Sequence, residues 1–265
     1  MDLQLTGRRA IVTGASRGIG RAAALGLAAE GAMVALVARD RDALEETATA
    51  VRGLGGQALV QRADTRDDAA VRAMVDAVAS TWGGVDVLVN AAARPASSAA
   101  VPALADLSDD ALRSELETKV LGYLRCARAV APHMVAAGWG RIINVSGLNA
   151  RLSGSLVGSV RNVAVAAMTK NLADELGPSG ITVTVVHPGT TVTDALPGRL
   201  ADRAGREGTT VDELTARLAA STSIGRLVTA QEVADVITFL ASPRSAAITG
   251  DAVAVGGGTR GFISY

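Results

Sequence analysis

Thr13-Gly14-Ala15-Ser16-Arg17-Gly18-Ile19-Gly20 is the stretch on which the reading of this chain turns. The apolar run 9–13 before it reads as a buried strand, and 18–29 behind it reads as a helix. Glycines permit a tight turn and let backbone N–H groups approach a phosphate closely. The helix N-terminus that follows carries partial positive charge. Glycine clusters also make plain turns, so the context decides: strand, then turn, then helix is the setting of a phosphate cradle. Gly14, Ser16, Arg17, Gly18, Ile19 and Gly20 are therefore its expected cofactor contacts.

Outward from this turn, short apolar runs alternate with longer amphipathic stretches. Strands are expected at 33–38, 58–62, 85–90, 141–145, 181–186 and 252–255, and helices at 41–52, 67–81, 108–137, 159–176 and 230–240. Ser108 caps the fourth helix, with Asp109 and Asp110 as favourable charges in its first turn. Gly177-Pro178 ends the fifth, and Pro188-Gly189 stops the strand at 181–186. The strands are apolar on both faces, as in a parallel sheet covered by helices. Strand and helix alternating throughout predict an α/β chain: one doubly wound parallel sheet of about seven strands, helices on both faces, in one domain spanning 1–265. Residues 190–222, rich in Thr, Gly and Arg, break the alternation and are expected to form a substrate lid or loop.

Composition sets limits. The 265 residues include 26 basic and 26 acidic side chains, so net charge is zero. No basic excess is available to neutralise a polyanion, which argues against nucleic acid as a partner. Cys126 is the one cysteine, which excludes an intrachain disulfide and a Cys-rich zinc site; no metal is expected. Neither a leader pattern at the start nor a long uncharged apolar run is seen, so a soluble cytoplasmic protein without membrane contact is expected. Tyrosine occurs only as Tyr123 and Tyr265, and lysine only as Lys119 and Lys170.

The end of the second strand chooses the cofactor. An acid there would take the ribose 2′-hydroxyl of NAD, but the run ends Val37-Ala38-Arg39. Arg39 and Arg17 are placed to flank a 2′-phosphate, for which the planar guanidinium fork is suited. NADP(H) is the expected cofactor; the alternative is that Arg39 is a solvated surface residue and Asp40 takes the ribose.

Together these features resemble the short-chain dehydrogenase/reductase family over essentially the whole chain, with its Rossmann-type sheet. Thr13 to Gly20 matches the family's Thr-Gly-x-x-x-Gly-x-Gly motif. Asp64, with Thr65 beside it, lies where the family places an acid near the adenine. Asn90-Ala91-Ala92-Ala93 is similar to its Asn-Asn-Ala-Gly motif, and His187-Pro188-Gly189 to its Pro-Gly turn beside the nicotinamide. The resemblance implies cofactor contacts at Asp64, Thr65, Asn90, Ala91, Pro188 and Gly189, a small-molecule substrate, and a homodimer or homotetramer.

The resemblance also implies an Asn–Ser–Tyr–Lys catalytic set, and this chain departs from it. Aligned on Met168-Thr169-Lys170-Asn171, the tyrosine position falls on Gly158 and the lysine position on Asn162. The serine position falls on Gly147, with Ser146 just before it, and the asparagine position on Lys119. Ser146 and Lys119 are the candidate catalytic residues. Lys119 has two readings: an ammonium facing the cleft, or a lysine whose stem packs while its head reaches water. Tyr123, one turn on, is expected in a subunit interface. Arg161 is expected to point away from the lost lysine position, since one residue turns a helix by about 100°. His187 is read as an acid–base group or as a hydrogen-bonded pocket residue. Cys126 is read as core.

Three functions follow. First comes an NADP(H)-dependent oxidoreductase of this family with a non-standard active site. The alternatives are a non-redox isomerase, lyase or cyclase on the same scaffold, and a non-catalytic NADP-binding protein.

Overall fold

Seven of the apolar runs form one parallel sheet in the computed structural model, which describes residues 1–93 and 101–261. In chain order the elements are β1 (Arg9–Thr13), α1 (Gly18–Ala29), β2 (Met33–Ala38), α2 (Arg41–Gly53), β3 (Gln57–Arg62), α3 (Asp68–Trp82) and β4 (Val87–Asn90). Then come α4 (Asp109–Glu115), a π-helical segment (Leu116–Leu121), α5 (Gly122–Ala137), β5 (Gly140–Val145), α6 (Leu156–Leu176) and β6 (Ile181–Pro188). The chain continues through β7 (Thr191–Val192), α7 (Leu196–Glu207), α8 (Val211–Ala220), β8 (Val228–Thr229), α9 (Ala230–Leu240) and β9 (Ala252–Val255). The main sheet runs β3-β2-β1-β4-β5-β6-β9, and every neighbouring pair is parallel.

Side chains alternate between two cores, as the pleat requires. Val12, Leu36, Val89 and Ile143 pack under α1, α2 and α9, against Ala23, Leu27, Leu44, Val51, Val233 and Ile237. Ile11, Ala35, Leu88 and Ile142 face the other way, onto Val71, Val75, Val78, Val130 and Met134 of α3 and α5. Cover on both faces explains why the strands read as unbroken apolar runs. Cys126 lies in this second core, and burial pushes its thiol up to about 12.

Three expectations change. The helix expected over 108–137 is not continuous. Ser108 does cap its start by accepting from the Ala111 N–H, but the π segment divides α4 from α5. The fifth helix begins earlier than 159, because Ser155 accepts from the Gly158 N–H and so caps it at Leu156. Residues 190–222 are not a loop. They form β7, α7 and α8, and Leu196, Leu200, Ala204 and Leu214 make a small core with Leu227. The sequence concealed this because that core is small: four residues spread over two short helices, with Leu227 added from just before β8. Tyr265 lies outside the described residues. No helix among the described residues is long and apolar enough to cross a membrane.

At the amino end of the sheet, Asp86 fixes β1. Its carboxylate accepts from Arg9 Nε (2.7 Å), Arg9 Nη2 (2.8 Å) and the Arg9 backbone N–H (2.9 Å). Burial pushes the Asp86 carboxyl up, but these bonds and the charges of Arg9 and Arg8 outweigh it and hold the group below the usual carboxylate range. Asp86→Asn is expected to cost about 2 kcal/mol in urea unfolding at pH 7. The native advantage is complete above the carboxylate's unfolded range. It narrows as the pH falls through and below about 4, because the folded carboxyl binds its proton later than the unfolded one.

Candidate cofactor and active site

The phosphate turn is held by contacts that exclude side chains. Gly14 adopts φ +70°, and a Cβ there would stand 2.7 Å from the Ala91 carbonyl oxygen. A Cβ on Gly20 would stand 2.2 Å from the Gly14 carbonyl oxygen. The Thr13 hydroxyl oxygen accepts from the N–H groups of Ala91 (3.1 Å) and Ala92 (3.2 Å), tying the end of β1 to the chain leaving β4. The Ala15 N–H donates to the Val37 carbonyl (3.2 Å), and the Thr47 hydroxyl donates to the Ala15 carbonyl (3.1 Å). Helices α2, α3, α4, α6, α8 and α9 each begin with a side-chain cap, whereas α1, like α5 and α7, has none; its N-cap residue is Arg17 and its first turn carries no acid. An uncapped helix N-terminus behind a glycine turn fits an anionic cofactor. Thr193, just before α7, lies beside Gly18, 3.5 Å from where a Cβ would be.

Arg17 and Arg39 are both exposed near this turn. Asp40, the alternative ribose partner, uses its carboxylate to cap α2 through the Ala43 N–H (3.2 Å). Asp64 is held by Arg66, with Nη2 2.7 Å away; that bond first, and the charge of Arg39 in addition, keeps its carboxyl below the usual range. Thr65 is buried against Gly122, where a Cβ would come within 3.0 Å of its hydroxyl. Asn90 is fully buried. Its Nδ2 donates to Asn144 Oδ1 (3.0 Å), and Asn144 Nδ2 donates to Thr169 Oγ1 (3.0 Å), so β4, β5 and α6 share one polar ladder. The Asn90 Oδ1 has no partner among the described residues. After Pro188, the Gly189 N–H donates to the Val255 carbonyl (3.1 Å), and a Cβ on Gly189 would stand 2.9 Å from the Gly256 Cα.

The catalytic positions converge beyond the carboxyl end of β5. Lys119, in the π segment, is 4 % exposed, and its Nζ donates to the Ser146 carbonyl (2.9 Å) and to Asn162 Oδ1 (3.3 Å). This corrects the reading that sends its head to water. π segments often mark functional sites because the widened turn redirects a side chain. The Ser146 hydroxyl donates to the Asn162 carbonyl (3.2 Å). Arg161 also reaches the cluster, against expectation. Its Nε donates to Asn162 Oδ1 (3.3 Å), and its Nη1 is bonded to Glu115 Oε2. A long guanidinium reaches back around the helix, which angular spacing alone does not capture. Glu115 was missed in the sequence; the only signal was its place one helical turn before Lys119.

Tyr123 is not an interface residue: it is fully buried within its own subunit, and its hydroxyl donates to the Val145 carbonyl (2.9 Å). His187 is 1 % exposed, and its Nδ1 accepts from the Gly147 N–H (3.4 Å). Burial first, then the charges of Arg151 and Lys119, bring it down to about 4, so it is neutral and fixes Gly147. At Gly158 a Cβ would stand 2.9 Å from both Asn149 Nδ2 and Ser155 Oγ. Both neighbours are side-chain ends, and Ser155 Oγ also accepts from the Gly158 N–H (3.1 Å).

A parallel sheet with a glycine turn at its switch point, and a polar cluster past the ends of β5 and β6, defines a dinucleotide-binding α/β protein. Residues 14–260 match the family model described as enoyl-(acyl carrier protein) reductase. The chain is 38 % identical over 250 residues to the short-chain reductase protein NovJ of Streptomyces niveus, covering 94 % of this chain and 92 % of that one. It is 38 % identical over 264 residues to the monensin polyketide synthase putative ketoacyl reductase of Streptomyces virginiae, covering 98 % and 99 %. The structure superposes on L-sorbose reductase from Gluconobacter frateurii, complexed with NADPH and L-sorbose, with TM-score 0.90 at 30 % identity, covering 99 % and 100 %. The chain belongs to the short-chain dehydrogenase/reductase family and is of its oxidoreductase type.

Gly20→Ala drives a methyl group into the Gly14 carbonyl, so the turn must open. The variant is expected to lose nucleotide binding by at least about tenfold in a calorimetric titration, because the amides that face the phosphate are displaced.

Proposed function

We propose that this protein is an NADP(H)-dependent oxidoreductase acting on a small or mid-sized, partly apolar carbonyl or alcohol compound, with no tyrosine as its acid. The observation that carries the reading is the intact phosphate turn with two exposed arginines, Arg17 within the turn and Arg39 just past the end of β2. When bound, the cofactor supplies hydride exchange. Arg17 and Arg39 would hold a 2′-phosphate, and Asp40 is already engaged as a helix cap. The NADPH held by the L-sorbose reductase supports the same choice. Asn90, Ala91, Pro188 and Gly189 would flank the dinucleotide along the carboxyl edge of the sheet, with Asp64 and Thr65 toward the adenine. The segment 190–222 would cover the cleft, since Thr193 already stands over Gly18.

Without a tyrosine, the protein favours acceptors that need little proton assistance, because a positioned general acid contributes about 10²–10⁴-fold. The absence of a tyrosine at the aligned position, Gly158, favours one further reading, a non-catalytic NADP-binding protein. A homo-oligomer is supported by Leu156, Val160 and Val163, an exposed apolar stripe at helical spacing on α6.

NADPH is expected to bind more tightly than NADH. Arg39→Ser is expected to weaken NADPH by about tenfold or more while leaving NADH unchanged, as befits loss of a charge-assisted phosphate contact. Equal affinity for both nucleotides in the native protein would remove the arginine assignment. In turnover assays, an activated diketone such as 2,3-butanedione should oxidise NADPH faster than a simple ketone such as cyclohexanone. Binding of NADPH without oxidation by either compound would favour the non-catalytic reading.

A further inference from the structure

The amine of Lys119 is a buried cation without a carboxylate of its own. Glu115, the acid one turn earlier, is bonded to Arg161. Two Lys119 donors are used, on the Ser146 carbonyl and Asn162 Oδ1. An ammonium has three, and the third meets no acceptor among the described residues. The Ser146 carbonyl lies one residue past the end of β5, on the carboxyl edge of the sheet, where doubly wound folds receive ligands.

Asn162 is coupled to this lysine. Its side-chain oxygen faces two cations, Lys119 Nζ and Arg161 Nε, each at 3.3 Å. A lysine at 162 would make a third cation with a single acid, Glu115, to offset them. A lysine at 119 therefore demands a neutral acceptor at 162. Relative to the family pattern, the amine and the amide have changed places between two helices.

We propose that Lys119 is the cation that grips the nicotinamide half of the dinucleotide, delivered from the π segment between α4 and α5, with Asn162 and Ser146 as positioning residues. The proposal rests on the cofactor reading above. The third N–H is offered to an acceptor oxygen on that half of the molecule. The surrounding charges fit a group that titrates in use. Burial first, and then Arg161, bring the amine down to about 7, opposed by Glu115. His187 is neutral above about 4 and Tyr123 is raised by burial, so neither changes charge near neutrality. Arg161 and Glu115 are bonded to each other. The grip should therefore weaken as the pH rises and the ammonium loses its proton.

The test compares NADPH with 2′,5′-ADP, which carries the phosphorylated adenosine half and no nicotinamide. Lys119→Met is expected to weaken NADPH by about ten- to a hundredfold, the loss of one hydrogen bond to a charged group, and to leave 2′,5′-ADP within about twofold. Unchanged 2′,5′-ADP binding also reports that the variant is folded. In the native protein, NADPH affinity relative to 2′,5′-ADP should fall between about pH 6 and 8.5, and Lys119→Met should abolish that dependence. A parallel measurement uses the native chain, whose two lysines give two labelled side-chain NMR signals, assigned with Lys170→Arg. The Lys119 signal should move with NADPH and not with 2′,5′-ADP. Equal weakening of both ligands, no weakening of either, or a Lys119 signal indifferent to NADPH would overturn the proposal. Failure of the native protein to bind either ligand would overturn the cofactor reading and this proposal with it.

Discussion

The contact between two backbones at the switch point of the sheet is the constraint on which the rest is built. β1 leads to β2 on one side and pairs with β4 on the other, so the chain leaving β1 must pass close to the chain leaving β4. No side chain fits between them: Gly14 lies against the carbonyl of Ala91, and Gly20 lies against the carbonyl of Gly14. Thr13 supplies the polar tie that a glycine contact lacks, through two backbone N–H groups. This packing sets the position and direction of α1, and with it the uncapped N–H groups of its first turn. It also places Asn90 at the root of the ladder that runs through Asn144 to Thr169. Phosphate turn and active-site floor are thus consequences of one close approach.

The strands were legible because both faces of a covered parallel sheet demand apolar residues, so position and type agree at each of the seven. The phosphate turn was legible because glycine there answers a steric demand that leaves no substitute. The helical pair at 196–220 was not, since its small core is dispersed among charged and hydroxyl residues. Lys119 and Asn162 were located as departures, but not as partners. Their contact depends on the π segment, whose extra width has no sequence signature, and on a 43-residue separation that only the fold closes. Tyr123 shows the converse: its spacing from Lys119 was read correctly, but the burial that makes it a strut to Val145 is a tertiary fact. Arg161 was misjudged by treating a long side chain as a radial vector.

The electrostatics of the cluster give the departures from the family pattern a common logic. A tyrosine at 158 and a lysine at 162 would act together, one as acid and the other as the charge that makes it acidic. On the alignment proposed above, α6 carries Gly158 and Asn162 at those positions, and no cation on α6 is needed to make a tyrosine acidic. Arg161 then takes the side-chain oxygen of Asn162 from one side while Glu115 balances it. The remaining charge enters from the opposite helix at Lys119. Burial of an ammonium is tolerated only where dipoles face it, and the Ser146 carbonyl and the Asn162 amide are those dipoles. Neutral His187, behind Gly147, adds no competing charge. A site that had merely decayed would not be expected to keep a buried amine between two fitted acceptors, because an apolar residue of similar length avoids the desolvation cost. A buried amine held between two fitted acceptors, in a chain that keeps its phosphate turn, is the observation on which the proposed link between Lys119 and the cofactor rests.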